Sequence, residues 1–291
     1  PNLDFKVIQG NSLIETFEGI NFGSKIFASE NKTLDAFVTE SEIKNDIEKL
    51  AKLQSDFFKS VSYAKKQSLK VEIENLMIQI FGQIINNNKH IKLKSEIDKD
   101  IIKKLISVRF KRSFFPWGIF FAEVFFINNG FDIVIANPPY ISVKQVNKFD
   151  WKDVLKNNFG FLDDLYNHFT FLASYIVKDD GIISFVTSDT FMTLQTKTNM
   201  RKLLFKYKLI SFLTLPKAFK ALVDTCIFIV QKKKLEKNNK INFIDLRNVE
   251  IDTLNNVKKD SNIFTWEKVL KKTFDTTIYA KNKFIDSSLY L

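Results

Sequence analysis

FDIVIANPPY, the sequence of Phe131–Tyr140, is the segment that best predicts the fold of this chain. Its first six residues form an almost continuous apolar run rich in β-branched side chains, which is typical of a central parallel strand covered on both faces. The two prolines that follow fix the backbone φ angle and cannot donate hydrogen bonds to a neighbouring strand. Ligands of open α/β sheets bind outside the carboxyl ends of the strands. We therefore expect Asn137–Tyr140 to form a ligand-binding turn at the end of a buried strand.

Outward from this segment, strand-like runs alternate with helical patterns. Leu162–Val177 and Thr198–Tyr207 have apolar residues at helical spacing. Phe5–Gln9, near the start, is a short strand-like run that ends at a turn. Further strands are predicted at Ile182–Thr187, Leu209–Leu215, Thr225–Val230 and Ile241–Leu246. Strands that alternate with helices favour a doubly wound α/β sheet.

The stretch between the first strand and FDIVIANPPY has a different pattern. From about Leu34 to Leu105, apolar residues recur at helical spacing and charges of both signs fill the other faces. Asn86–Asn88 interrupts this pattern, and a third helix is predicted over Ser95–Ile106. These features indicate a helical insertion into the α/β fold.

Composition narrows the class of protein. The formal net charge of +11 suits a polyanion such as nucleic acid, although an A/T-rich genome would also enrich lysine without selection for DNA. The single cysteine, Cys226, excludes an internal disulfide, and His90 and His168 are too few for a dedicated zinc site. No apolar run reaches the ~18–20 residues that span a membrane. We expect a cytoplasmic protein with no membrane partner and no metal site.

The turn Asn137–Tyr140 has the parts needed to methylate the exocyclic amine of adenine. The lone pair of this amine is delocalised into the ring, which makes the nitrogen a poor nucleophile. Two acceptors, the Asn137 side-chain oxygen and the Pro138 carbonyl, would hold its hydrogens and favour a tetrahedral nitrogen in the transition state. Pro139 fixes the turn, and Tyr140 would stack on a base flipped out of a duplex. The alternative is that the four residues form only a rigid turn.

These segments together resemble the amino-methyltransferase superfamily, and within it the adenine-specific methyltransferase part of type IIG restriction–modification enzymes. Phe131–Ile141 is similar to the family's catalytic motif, and Leu3–Leu13 to the segment that ends its third strand. The resemblance implies an α/β fold with a Rossmann-like S-adenosylmethionine-dependent methyltransferase sheet. It places Asn11 and Ser12 at the S-adenosylmethionine site.

The resemblance also divides the chain and assigns the remaining site residues. It implies a methyltransferase core over 1–30, a helical insertion over 31–115, core with the catalytic motif over 116–240, and an extension towards a target-recognition region over 241–291. The implied catalytic residues are Asn137, Pro138, Pro139 and Tyr140, and Phe219 would sandwich the flipped base against Tyr140.

One feature of the family is missing. The family binds the methyl donor with a loop that contains Gly-x-Gly, and none of the eight glycines of this chain gives that pattern. We therefore expect an incomplete sheet, with the donor half of the active site outside this chain. A nuclease domain, which would need Mg²⁺, and a full target-recognition domain are expected outside it as well.

The expected activity is methyl transfer from S-adenosylmethionine to N6 of a flipped adenine in double-stranded DNA, within a restriction–modification enzyme. Three alternatives stay open: methylation of RNA, methylation of a release-factor glutamine, and a non-catalytic DNA-binding subunit. Release-factor methyltransferases are compact, so the helical insertion and the charge of +11 argue against them. The missing donor loop is the observation that favours a non-catalytic subunit.

Overall fold

The structure is a computed structural model that describes residues 4–23, 41–88, 97, 99–107, 111–215, 224–234, 240–245 and 277–280. The chain divides into two compact units. The first unit comprises Pro1–Phe131 and Asp150–Phe161, and the second comprises Asp132–Phe149 and Leu162–Leu291.

The first unit is mainly helical. Its helices are α1 (Ser41–Lys59), α2 (Tyr63–Asn87), α3 (Lys99–Ile106), α4 (Trp117–Phe120), α5 (Ala122–Phe126) and, from its second segment, α7 (Lys152–Phe159). Two short antiparallel strands, β1 (Thr16–Phe17) and β2 (Ile20–Asn21), form a hairpin. Glu18 and Gly19 make its turn with φ angles of 49° and 85°, the positive values that a tight two-residue hairpin turn requires.

Helices α1 and α2 pack side by side in opposite directions. Gln79 and Gln83, late in α2, donate hydrogen bonds of 2.7 and 3.0 Å to the Asp46 carboxylate, early in α1. The predicted break at Asn86–Asn88 is confirmed as the end of α2, and the third helix is confirmed as α3. A further break separates α1 from α2. The Ser62 hydroxyl caps the start of α2 by accepting a hydrogen bond from the Lys65 amide.

The prediction of a strand at Phe5–Gln9 is wrong. Residues 4–10 form turns and a bend, and Phe5 has a φ of 60°, which is incompatible with an extended strand. The Phe5 ring is buried edge-to-face against Phe57 of α1, at 5.2 Å between ring centroids. Asp4 forms an ion pair of 3.1 Å with Lys70 of α2. This segment therefore packs on the helices of the first unit.

The second unit contains the sheet. Its strands are β3 (Phe131–Ala136, whose first residue closes the first unit), β4 (Val177–Ser188), β5 (Tyr207–Thr214), β6 (Thr225–Lys234), β7 (Lys240–Asp245) and β8 (Thr277–Ala280). Its helices are α6 (Val143–Val146), α8 (Leu165–Ile176) and α9 (Thr198–Lys206). The predicted helices and strands of this region are confirmed, with β4 starting five residues before Ile182. The prediction of an α/β fold is confirmed.

The strands lie in the order β3-β4-β6-β5-β7-β8. Strand β6 is antiparallel to both β4 and β5, whereas β5 and β7 are parallel. A core of buried aromatic and aliphatic side chains forms on this sheet and includes Tyr166, Val177, Phe185, Phe212 and Phe228. Among the residues that the structure describes, every helix is too short or too polar to span a membrane.

Strand β3 differs from the central strand that its sequence predicts. Val134 and Ala136 pack against the core, but Ile133 and Ile135 on the opposite face are 58% and 76% exposed. Among the described strands, only β4 borders β3, so β3 lies at the end of the strand order. The expectation that both faces of this strand are covered is therefore wrong for the described chain.

Contacts at both ends of β3 indicate its direction. Asp132, at the start of β3, forms an ion pair with Lys178, at the start of β4. Tyr140, just beyond the end of β3, lies near Cys226, which pairs with Thr187 at the far end of β4. Strands β3 and β4 therefore run in the same direction, and both deliver their carboxyl ends to the edge of the sheet that carries Asn137–Tyr140.

Candidate active site

The turn after β3 brings two of the predicted site residues into direct contact. The Tyr140 hydroxyl donates a hydrogen bond of 3.0 Å to the Asn137 side-chain oxygen. Pro138 is buried, whereas Asn137 and Pro139 are exposed and Tyr140 is half-buried. A carboxamide oxygen has two lone pairs, so Asn137 retains acceptor capacity while Tyr140 fixes its orientation. The turn therefore presents a fixed amide acceptor beside an aromatic ring.

The surroundings of Tyr140 keep its hydroxyl protonated. Burial raises the pKa of Tyr140, and the neighbouring Cys226 raises it further. Burial also raises the pKa of the Cys226 thiol to about 12, so this thiol is neutral near pH 7. Tyr140 is consequently a hydrogen-bond donor to Asn137 over the physiological pH range.

The backbone that follows the turn is tied to the first residues of α8. The Leu165 amide donates to the Ile141 carbonyl at 2.9 Å, and the Val143 amide donates to Asp164 Oδ1 at 2.6 Å. Asp164 stands at the N-cap position of α8, but its side chain makes no capping bond to that helix. Its carboxylate serves the start of α6 instead. The two bonds fix the main chain one and three residues beyond Tyr140.

Asp164 also belongs to a buried charged cluster. The Lys197 ammonium, with a side chain only 5% exposed, contacts the carboxylates of Asp163 and Asp164, the latter at 2.7 Å. The Asn167 side chain donates to Asp163 Oδ2 at 2.5 Å, and the Asp163 amide donates to His168 Nε2 at 3.1 Å. Burial lowers the pKa of His168 to about 4, so its imidazole is neutral and serves as an acceptor here.

No sequence pattern predicted this cluster. Asp163-Asp164 immediately before a helix is a recognisable helix-start signal, which predicts capping of that helix rather than a contact with the backbone after the Asn137–Tyr140 turn. Lys197 has no local signal at all, because it comes to Asp163 from 34 residues further along the chain.

The predicted donor-side residues lie in the first unit, whereas the turn lies in the second. Asn11 Oδ1 accepts a hydrogen bond of 3.3 Å from the Leu13 amide, and the Ser12 carbonyl accepts one of 2.9 Å from the Trp117 indole. Asn11 therefore makes a local turn of the kind that its residue type favours. Phe219, the predicted second stacking partner, lies outside the described residues. Within the described ranges, no group of acidic, histidine or cysteine side chains could hold a metal ion.

The fold and the turn define an α/β protein whose sheet presents an amide acceptor and an aromatic ring at a strand end. In general, an amide oxygen can accept a hydrogen bond from an amino group, and an aromatic ring can stack on a planar base. The chain belongs to the Eco57I restriction-modification methylase family, whose model matches residues 59–221. That range takes in the whole Asn137–Tyr140 turn and the buried cluster.

A protein named as a type II restriction enzyme and methyltransferase, from Methanocaldococcus jannaschii, is 30% identical over 122 residues. The match takes in 41% of this chain and 10% of that protein, so the chain spans about a tenth of the length of this relative.

Solved structures of restriction–modification proteins show a distant likeness. The type I methyltransferase subunit from Streptococcus thermophilus has 18% identity and a TM-score of 0.33, with 62% of this chain and 45% of that chain covered. The type IIG restriction endonuclease BpuSI has 16% identity and a TM-score of 0.32, with 78% and 29% covered. Likenesses this distant assign no role to any residue.

Proposed function

We propose that this chain carries out methyl transfer from S-adenosylmethionine to N6 of an adenine flipped out of double-stranded DNA, as part of a restriction–modification enzyme. The observation that carries the proposal is the hydrogen bond from the Tyr140 hydroxyl to Asn137 Oδ1 at the end of β3. It joins the acceptor for the amine and the ring for the base in one rigid unit. Membership of a restriction-modification methylase family supports the same reaction.

The proposed chemistry uses acceptors rather than a protein base, so the proton that the nitrogen loses after methyl transfer would pass to water. Asn137 Oδ1, through its second lone pair, and the Pro138 carbonyl would each accept one hydrogen of the adenine amino group. Both acceptors favour the tetrahedral nitrogen that forms as the methyl group arrives, so they stabilise the transition state more than the bound substrate. His168 is not the base, because its imidazole is fully buried and accepts the Asp163 amide.

Base flipping requires a surface on which the extruded base can stack. Tyr140 would offer its ring for this purpose, and Phe219 would cover the opposite face of the adenine. Stacking on one aromatic ring is worth roughly 1–3 kcal/mol per base, which offsets much of the cost of unpairing. The formal net charge of +11 would attract the DNA phosphates.

The methyl donor would supply an electrophilic methyl group, and Asn11 of the first unit would contact this donor. Its Oδ1 is oriented by the bond from the Leu13 amide and has a second lone pair that can accept from the amino group of an adenosyl moiety. Ser12 would lie beside this contact.

The substrate class is tested by incubating the full-length gene product with radiolabelled S-adenosylmethionine and, separately, duplex DNA, RNA and a release factor. We expect label in duplex DNA, recovered as N6-methyldeoxyadenosine after nuclease digestion. Label in RNA or in the release factor alone would overturn the proposal in favour of that substrate. Binding of DNA without any labelled product would identify a non-catalytic DNA-binding subunit.

A further inference from the structure

We propose that Asp164 is a positioning residue that holds the catalytic turn in place, and that buried Lys197 keeps Asp164 in position. The catalytic readout of this proposal rests on the proposed function, because it concerns the same Asn137–Tyr140 turn. Its structural readout, the protection of the Val143 amide, is independent of any activity.

The two carboxylate oxygens of Asp164 have separate partners. Oδ1 accepts the Val143 amide at 2.6 Å, and Oδ2 contacts the Lys197 ammonium at 2.7 Å. The Asp164 carboxylate therefore links the backbone just beyond the catalytic turn to Lys197. A hydrogen bond to an ionised acceptor is about twice as strong as one between neutral groups.

The position of the bridge along the chain explains why it can act on the turn. Val143 is the first residue of α6, a position where backbone amides have no partner within the helix. Asp164 satisfies this amide, and the adjacent Leu165 amide binds the Ile141 carbonyl at 2.9 Å. Ile141 directly follows Tyr140, so a shift of this backbone would displace the ring and the carboxamide that it orients.

Burial makes the bridge dependent on Lys197. The side chains of Lys197 and Asp164 are 5% and 17% exposed, and a carboxylate in such surroundings is stable only when it is paired. Asp163 shares the same ammonium and is itself held by Asn167. The cluster thus holds one oxygen of the Asp164 carboxylate, and the other oxygen holds the first amide of α6.

The structural test is hydrogen exchange of the full-length protein, measured by mass spectrometry on peptides that cover residues 137–147. We expect Asp164→Ala to increase exchange at the Val143 amide, and Asp164→Asn to restore part of the protection because its oxygen can still accept that amide. Asp153→Ala, which removes an exposed aspartate of α7, is the matched control and should leave these peptides unchanged. Unchanged exchange in Asp164→Ala would overturn the proposal.

The catalytic test compares kcat and KM for DNA in the same variants, per folded molecule. A misplacement of about 1 Å can cost ~10²-fold in rate, so we expect Asp164→Ala to lower kcat by ~10–100-fold with a much smaller change in KM. Asp164→Asn should recover part of the loss. A kcat equal to that of Asp153→Ala, or a loss explained fully by a smaller folded fraction, would overturn the proposal. If the wild-type protein instead labels RNA or a release factor, the proposed function fails, whereas the hydrogen-exchange result still decides the role of Asp164.

Discussion

Replacing Lys197 with methionine removes one charge from a buried cluster and leaves its partners in place. The side chains of Asp163 and Asp164 are 8% and 17% exposed, so water cannot fully solvate the two carboxylates that lose their counter-ion. Methionine has nearly the volume of lysine, so the substitution should not lower the free energy of unfolding by creating a cavity. Removing one partner of a buried ion pair costs about 3–5 kcal/mol. Since whole domains are stable by about 5–15 kcal/mol, this single change should remove a large fraction of the free energy of unfolding.

The assay is equilibrium unfolding in urea at pH 7, followed by circular dichroism. Lys202→Met is the control, because Lys202 lies in α9, the helix that begins directly after Lys197, and is exposed. The control should change the free energy of unfolding by no more than about 0.5 kcal/mol, as surface substitutions usually do. Equal unfolding midpoints for Lys197→Met and Lys202→Met would contradict this prediction, because they would show that the two carboxylates do not need the Lys197 ammonium.

Two further predictions concern pH and the Tyr140 hydroxyl. Burial lowers the pKa of His168 from 6.5 to about 4, so the unfolded chain takes up this proton first and the folded state should lose stability as the pH falls from about 6.5 to 4. His168→Gln, whose oxygen can still accept the Asp163 amide, should show a shallower loss in urea unfolding at pH 7, 5.5 and 4.5, and an unchanged slope would contradict the role of His168. Tyr140→Phe keeps the ring but removes the bond to Asn137, so kcat should fall by ~2–10-fold, the value of one neutral hydrogen bond. Tyr140→Ala should also lose the stacking of the flipped base, at roughly 1–3 kcal/mol, and should therefore reduce the rise in fluorescence of 2-aminopurine that accompanies its flipping at the target position. Equal defects in the two variants would contradict a separate role for the hydroxyl.

Much of the second unit could be predicted from the sequence, because its signals are local. The apolar runs of β4, β5 and β6 are bounded by polar residues, and the helical spacing of α8 and α9 lies between them. The strand followed by Asn137–Tyr140 was likewise evident from two prolines that end a β-branched run. Periodicity and turn chemistry act within a few residues, so they are visible without knowledge of the fold.

Features that depend on distant partners could not be predicted. Ile133 and Ile135 are apolar, as in a strand covered on both faces. Whether a strand is covered depends on its neighbours, however, and β4 alone borders β3 among the described strands. Phe5 has an apolar, strand-like setting, but its positive φ and its contact with Phe57 follow from packing on α1. The contact of Lys197 with Asp163 depends on the path of the chain through β4, and no local sequence pattern predicts that path.

We propose that the Asn137 side-chain oxygen activates an adenine amine for methylation. The most direct measurement is the yield of N6-methyldeoxyadenosine in duplex DNA, quantified by mass spectrometry under single turnover, for the wild-type protein and for Asn137→Ala. Removal of one group that stabilises a transition state in this way costs ~10²–10³-fold in rate, and we expect a loss of that size. Asn157→Ala, which removes an exposed asparagine of α7, should retain the wild-type rate. Formation of N6-methyldeoxyadenosine by Asn137→Ala at the wild-type rate would contradict this role of Asn137.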